Sequence, residues 1–194
     1  MKASLSPSFR HAASATFAAF FLAWCLPAHA FDDQRMGVYV EGGRAPHGEV
    51  GSTNTSTIGV MLPWTPLPAM QSGGVSSYVD LFASQWRAPP VDQGHRSYAQ
   101  LGAIAVLRYR FDQGASPWFV EGGLGVSVLD HLYRTPEREF STAFQFTEVL
   151  AVGRSFGRSG NHELSLRAQH FSNASIKKPN PGENFVRVRY AYRF

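Results

Sequence analysis

Apolar and polar residues alternate along most of the chain after Gly37. The clearest alternation is the last one, in which one parity holds Val186, Val188, Tyr190, Tyr192 and Phe194 and the other holds Arg187, Arg189 and Arg193. Because successive side chains of a strand point to opposite faces, this pattern predicts a β-strand with one greasy and one charged face. No helical periodicity persists after the first 30 residues, so the pattern indicates an all-β protein.

Eight stretches of this kind are separated by turn-rich links. We predict strands over 37–42, 55–62, 75–86, 98–111, 118–129, 144–156, 163–171 and 185–194. Their lengths are close to the ~9–11 residues of a tilted transmembrane strand. Short and long links alternate, as they do in outer-membrane barrels. We therefore predict an eight-stranded antiparallel transmembrane β-barrel.

The direction of the alternation distinguishes two kinds of barrel. Guanidinium groups are costly in lipid, so in a membrane barrel the arginines must line the interior. A soluble lipocalin-like barrel is the alternative, and it would place valine and tyrosine inside and arginine in water. In either barrel Glu41, Glu121 and Glu148 fall within strands that have arginine-bearing neighbours. We expect these three carboxylates to be interior ion-pair partners.

The first 30 residues read as a cleaved signal peptide. A basic start at Lys2 and Arg10 precedes a mostly apolar run, and Ala28-His29-Ala30 supplies a small-x-small cleavage site. Residues 31–194 then form the barrel domain. The only cysteine, Cys25, belongs to the leader, so neither a disulfide nor a thiol nucleophile is expected in the exported protein.

Charge and side-chain chemistry narrow the range of partners. The formal net charge is +4, and basic clusters can bind nucleic acid, but an exported chain rarely meets any. An anionic phosphorylated glycolipid is the better match to this charge. The histidines show no spacing typical of a metal site, and no motif indicates a nucleotide or redox group. We expect no cofactor and no nucleic-acid partner.

One strand carries both a candidate base and a candidate nucleophile. His170 and Ser172 share the parity of the apolar residues Leu164, Leu166 and Ala168. In a membrane barrel that face is the lipid-facing wall. A histidine and a serine there point to chemistry on a lipid.

Residues further along make this pair more specific. The run His170-Phe171-Ser172-Asn173, followed by Pro179-Asn180, Gly182 and an aromatic final strand, resembles the PagL family of outer-membrane lipid A 3-O-deacylases. The resemblance implies hydrolysis of the ester that links a 3-hydroxyacyl chain to position 3 of lipid A. It also implies the outer membrane of a Gram-negative bacterium, with lipopolysaccharide as substrate among outer-membrane lipids, and it is compatible with a homodimer.

The resemblance also implies residue roles. Ser172 is the expected nucleophile, His170 the base, and Asn173 the oxyanion-hole residue. The family pattern places the orienting carboxylate fourteen residues after the histidine, and this chain has Asn184 there. Glu183 comes one residue earlier, so in a regular strand it would face inward while Asn184 faces outward. On chemistry we favour Glu183 as the third member of the triad, with Asn184 as the alternative orienting residue.

Two other functions fit a small barrel. A non-catalytic outer-membrane barrel for adhesion or envelope structure would make His170 and Ser172 dispensable. An acyltransferase acting on lipid A would need a site for a donor phospholipid, which the sequence does not reveal.

Overall fold

The computed structural model describes residues 31–46, 51–66, 74–91 and 96–194. The predicted leader, residues 1–30, lies outside the described residues. The described chain forms eight strands: β1 (Gly37–Arg44), β2 (Asn54–Pro63), β3 (Val75–Arg87), β4 (Ser97–Arg110), β5 (Trp118–Leu129), β6 (Phe144–Phe156), β7 (His162–Ser172) and β8 (Glu183–Arg193). The predicted eight-stranded all-β architecture is confirmed. No helix in the described ranges is long and apolar enough to cross a membrane.

Each strand pairs antiparallel with the next, and β8 pairs with β1 to close a barrel. We call the end where β7 finishes and β8 begins the upper end. The described parts of the first two links at this end, residues 45–46, 51–53, 88–91 and 96, lie there together with the links 130–143 and 173–182. The register of β7 places His170 opposite Asn184 on β8 and opposite Glu148 on β6.

The outer face of the barrel is apolar. Val188 on β8 is 53% exposed, whereas its neighbour Arg187 is 1% exposed. The same alternation runs through every strand, and the three arginines predicted to face inward on β8, Arg187, Arg189 and Arg193, are all buried. The large apolar side chains exposed on the wall include Val40, Ile58, Leu101, Leu124, Leu150, Leu166 and Val188. This apolar wall excludes the soluble lipocalin-like barrel, in which valine and tyrosine would face the interior and arginine would face water.

The interior is a network of buried ion pairs. Glu41 binds Arg187 at 2.9 Å and Arg189 at 2.8 Å, and its carboxylate lies 3.1 Å from Arg167. Glu121 binds Arg108 at 2.7 Å. Interior pairing is therefore confirmed for Glu41 and Glu121. It is wrong for Glu148, whose side chain is exposed on the outer face.

Aromatic side chains fill the upper end of the interior. They are Trp86, Tyr98, Tyr133, Phe140, Phe171 and Phe185, and all of them are buried. The Trp86 ring lies 5.3 Å from that of Tyr133 and 4.7 Å from that of Phe185. Because these rings occupy the space inside the sheet, polar groups that act on a large lipid must lie on the outside.

Candidate active site

His170 and Ser172 lie at the upper end of β7, on the outer face. Both are partly exposed, and Phe171 between them is buried inside. The alternation of the strand therefore brings the predicted base and nucleophile to the apolar wall. They lie where the wall meets the upper links.

Asn184 is the side chain that contacts His170. Nδ1 of His170 lies 2.7 Å from Oδ1 of Asn184, across the β7–β8 pair. With the amide oxygen as acceptor, Nδ1 carries the proton and Nε2 keeps the lone pair. This is the tautomer that a general base for Ser172 requires. The amide holds the ring but supplies no negative charge.

The structure places Glu183, the carboxylate that we favoured as orienting residue, on the inner face. It is buried, opposite Phe171. Oε2 of Glu183 accepts a 2.9 Å hydrogen bond from Tyr133, and Oε1 accepts one from the backbone of Asn184. The reason is that β8 begins at Glu183 rather than at Phe185, so strand parity already applies there. Glu183 and His170 therefore lie on opposite faces of the sheet.

Tyr133 fixes Glu183 from the 130–143 link. Burial, together with the nearby Glu183 carboxylate, raises the pKa of the Tyr133 hydroxyl above its usual range. The hydroxyl therefore stays protonated and donates to Glu183. This buried pair anchors the first residue of β8, next to Asn184.

The polar hydrogens of Asn173 are all engaged within the protein. Its backbone N–H donates to Oδ1 of Asn180 at 2.9 Å. Its amide group donates to Ser141 Oγ at 2.9 Å and to the Lys177 carbonyl at 2.8 Å. In this arrangement Asn173 ties the 173–182 link together. Its predicted oxyanion role stays a prediction, and it requires one of these bonds to be exchanged.

Gly182 makes room for the imidazole. Its φ is +65°, in the left-handed region that favours glycine. A Cβ placed there would lie 2.7 Å from Cε1 and 3.3 Å from Nε2 of His170. The ring edge that carries the basic nitrogen thus packs directly against the backbone of Gly182.

The 130–143 link braces the 173–182 link. Arg138 donates to the carbonyls of Pro181 at 3.2 Å and of Gly182 at 2.9 Å. Ser141 donates to the carbonyl of Lys177 at 2.8 Å. Sequence reasoning did not identify these braces, because contacts between two irregular links leave no periodic signal.

Ser172 and His170 are not yet hydrogen-bonded to each other. Residues two apart along a strand are separated by about 7 Å, and the His170 and Ser172 side chains form no hydrogen bond with each other in the described structure. Catalytic hydrogen bonds are often long before substrate binds. In the part of the chain that the structure describes, no three His, Cys, Asp or Glu side chains are grouped as metal ligands. Ser172 and His170 supply a hydroxyl and an imidazole to this part of the wall.

Comparisons with known proteins agree with this geometry. The family model described as lipid A 3-O-deacylase (PagL) matches residues 51–193. A lipid A deacylase PagL from Bordetella bronchiseptica is 34% identical over 59% of this chain, and one from Pseudomonas aeruginosa is 26% identical over 57%. The matched region spans 61% of the length of each of these relatives.

Two solved structures share the barrel. The crystal structure of the outer membrane enzyme PagL superposes with a TM-score of 0.66 at 21% identity, covering 81% of this chain and 99% of that one. Neisserial surface protein A superposes at 0.51 with 13% identity, covering 82% of this chain and 97% of that one. These similarities concern the fold. The family match extends over the site and most of the barrel, and the chain belongs to the PagL family of lipid A 3-O-deacylases.

Proposed function

We propose that this protein is a lipid A 3-O-deacylase of the outer membrane, a serine esterase that removes the 3-hydroxyacyl chain from position 3 of lipid A. The observation that carries the proposal is the His170–Asn184 pair beside Ser172 on the outer wall. The family and the named relatives support the substrate. An export leader cleaved after Ala30 belongs to the same proposal.

The position of the pair suits a substrate that stays in the membrane. The apolar wall below His170 continues through Leu166 and Leu164, which are 52% and 51% exposed. Acyl chains can lie along this wall while the sugar remains level with the upper links. Substrate then arrives sideways, and water reaches the ester from the headgroup side.

The reaction follows serine-hydrolase logic. Nε2 of His170 takes the proton of Ser172 as Oγ attacks the ester carbonyl. The tetrahedral intermediate collapses, the bond from the carbonyl carbon to the sugar oxygen breaks, and His170 gives its proton to that oxygen. Water, deprotonated by His170, then attacks the acyl carbon; the bond to Oγ of Ser172 breaks, His170 returns the proton to Oγ, and the hydroxy fatty acid is released.

Asn184 orients the histidine in this scheme, in the position where the family pattern has a carboxylate. Amide groups of the 173–182 link stabilise the oxyanion in this scheme. Oδ1 of Asn180 accepts from the Asn173 backbone, so the NH2 group is the part of this amide that can donate to an oxyanion. We assign the oxyanion to this group together with Asn173. The family resemblance also allows a homodimer, which cross-linking in intact outer membranes tests.

The test is the mass of lipid A in a Gram-negative host that makes hexa-acylated lipid A. Expression of the parent should remove one 3-hydroxyacyl chain, and Ser172→Ala should abolish this change. Ser56→Ala is the matched control, because Ser56 is another exposed serine of the outer face, on β2. Unchanged lipid A with a correctly inserted parent would overturn the proposal in favour of a non-catalytic barrel, and a gain in mass would indicate an acyltransferase.

A further inference from the structure

Glu148 is a carboxylate on the apolar wall. It lies on β6 between the outward-facing Phe146 and Leu150, and it is exposed. The other acidic residues of the eight described strands face the interior; they are Glu41, Asp80, Glu121, Glu163 and Glu183. Glu148 is thus the one acidic side chain that these strands present to the outside.

The sheet register places Glu148 beside the candidate base. Glu148 is directly opposite His170 in the β6–β7 pair, and its other neighbour, on β5, is Leu124. Directly opposed residues of an antiparallel pair have Cβ atoms about 4.5–5.5 Å apart. His170 therefore lies between Glu148 on one side and Asn184 on the other, and among the described residues no ion pair joins it to Glu148.

A carboxylate on the lipid-facing wall lowers the stability of the barrel unless a functional interaction compensates for it. Its outward neighbours on β6 and β5 are apolar, and charged side chains on the lipid face destabilise barrels. The interior ion pairs of the described residues do not involve Glu148, since their carboxylates come from the inward faces and from Asp33. The group that gains most from an anion here is His170, which becomes cationic when it takes the proton of Ser172.

We infer that Glu148 is a positioning residue of the active site, supplying through His170 the negative charge that Asn184 lacks. The inference rests on the role of His170 in the proposed function. Asn184 fixes the tautomer of the imidazole, and Glu148 stabilises the imidazolium from the neighbouring strand. The two tasks that one carboxylate performs in a Ser-His-Asp triad are thereby divided between two residues on opposite sides of the ring.

The first measurement is the rate at which a fluorophosphonate labels Ser172 in the refolded, detergent-solubilised mature chain. Labelling reports activation of the serine without depending on lipid A as substrate. Glu148→Gln should slow labelling about 10- to 100-fold, as expected for loss of a nearby charge. Glu148→Asp should restore most of the rate. Asp112→Asn, which removes a carboxylate at the opposite end of the barrel, is the control and should label at the parental rate.

A second set of variants distinguishes the loss of the Glu148 charge from a structural effect of the substitution. In an Asn184→Glu background a carboxylate contacts His170 directly, so Glu148→Gln should cost less than threefold there. Glu148→Leu should slow labelling while making the barrel harder to unfold in urea. With lipid A as substrate, Glu148→Gln should lower kcat and leave KM unchanged.

The outcomes are distinct. A Glu148→Gln barrel that labels at the parental rate overturns the inference, and so does an undiminished cost in the Asn184→Glu background. A parent that does not label at all overturns it as well. If labelling depends on Glu148 but lipid A is untouched, the inference holds and the proposed substrate is wrong.

Discussion

Polar side chains on the inner face of this barrel have many bonding partners, whereas those on the outer face have few. Inside, most carboxylates have several cationic partners, as Glu41 does with Arg187 and Arg189. On the outer wall, the hydrogen-bond partner of His170 among the described residues is the neutral amide of Asn184. The inner groups share a network of ion pairs and hydrogen bonds that holds the barrel together. Among the described residues, Nε2 of His170 and the Ser172 hydroxyl have no hydrogen-bond partner, which leaves both able to react.

This comparison predicts that outer-face variants lose activity and keep stability. His170→Ala should reduce lipid A deacylation by about 10⁴-fold or more, because removing a triad member costs at least that much in serine hydrolases. The unfolding midpoint in urea should not fall. His162→Ala is the matched control on the same strand and face, at the lower end of the barrel. A fall in stability with His170→Ala alone would break the distinction between the two faces.

Inner-face variants should show the reverse. Glu41→Gln leaves the guanidinium groups of Arg167, Arg187 and Arg189 without their shared anion. Breaking a buried pair costs about 3–5 kcal/mol, measured as the free energy of unfolding in detergent. Fluorophosphonate labelling of the fraction that remains folded should be unchanged. An unaltered unfolding curve would mean that water reaches the interior and replaces the lost bonds.

Gly182→Ala tests the backbone that borders the base. The new Cβ would meet the imidazole at 2.7 Å in a backbone conformation that alanine rarely adopts. We expect a loss of kcat of about tenfold to a hundredfold, from a ~1–3 kcal/mol strain that displaces the ring. Gly51→Ala is the control, since Gly51 is another positive-φ glycine in an upper link, away from His170. Full activity of Gly182→Ala would show that the ring does not depend on this contact.

The smallest effect on stability is expected from a variant of Asp33, which lies at the lower end of the barrel. Burial alone would raise the pKa of its carboxyl, but the hydrogen bond from Arg110 and the charges of Arg108 and Arg193 lower it below the usual range. Because the carboxyl has a lower pKa in the folded state, its charge stabilises that state at pH values above the unfolded pKa of 3.8. This stabilisation is lost as the pH falls further. Asp33→Asn should therefore unfold more easily at pH 7 by about 1–2 kcal/mol. The difference should shrink below pH ~4; a constant difference would exclude this charge effect.

Much of the fold could be predicted from the sequence because strand parity is a local property. The alternation of Val186 and Arg187 is enough to orient β8, and the parity of β7 places His170 and Ser172 on the outer wall. The same rule would have placed Glu148 outside, since it shares the parity of Phe144 and Leu150. Its arginine-bearing neighbourhood in the sequence suggested ion pairing instead, and in this strand parity decided the outcome.

The partner of His170 was harder to predict, because it depends on the residue at which β8 begins. The predicted start of β8 at residue 185 and the observed start at Glu183 differ by two residues, and this difference decides whether strand parity applies to Glu183 and Asn184. Strand boundaries predicted from a sequence are uncertain by about two residues. Glu183 already pairs with Phe171 in the sheet, and Tyr133 holds its buried side chain by a hydrogen bond. Such contacts come from a different link, so the sequence near His170 could not indicate them.

The filled interior has an electrical consequence. Arg108, Arg167, Arg187 and Arg189, with their carboxylates, occupy the middle of the barrel, and aromatic rings occupy the upper end. Eight strands enclose a space that side chains just fill. A planar bilayer containing this protein should therefore carry no single-channel current, and ions and solutes would cross the membrane by other routes.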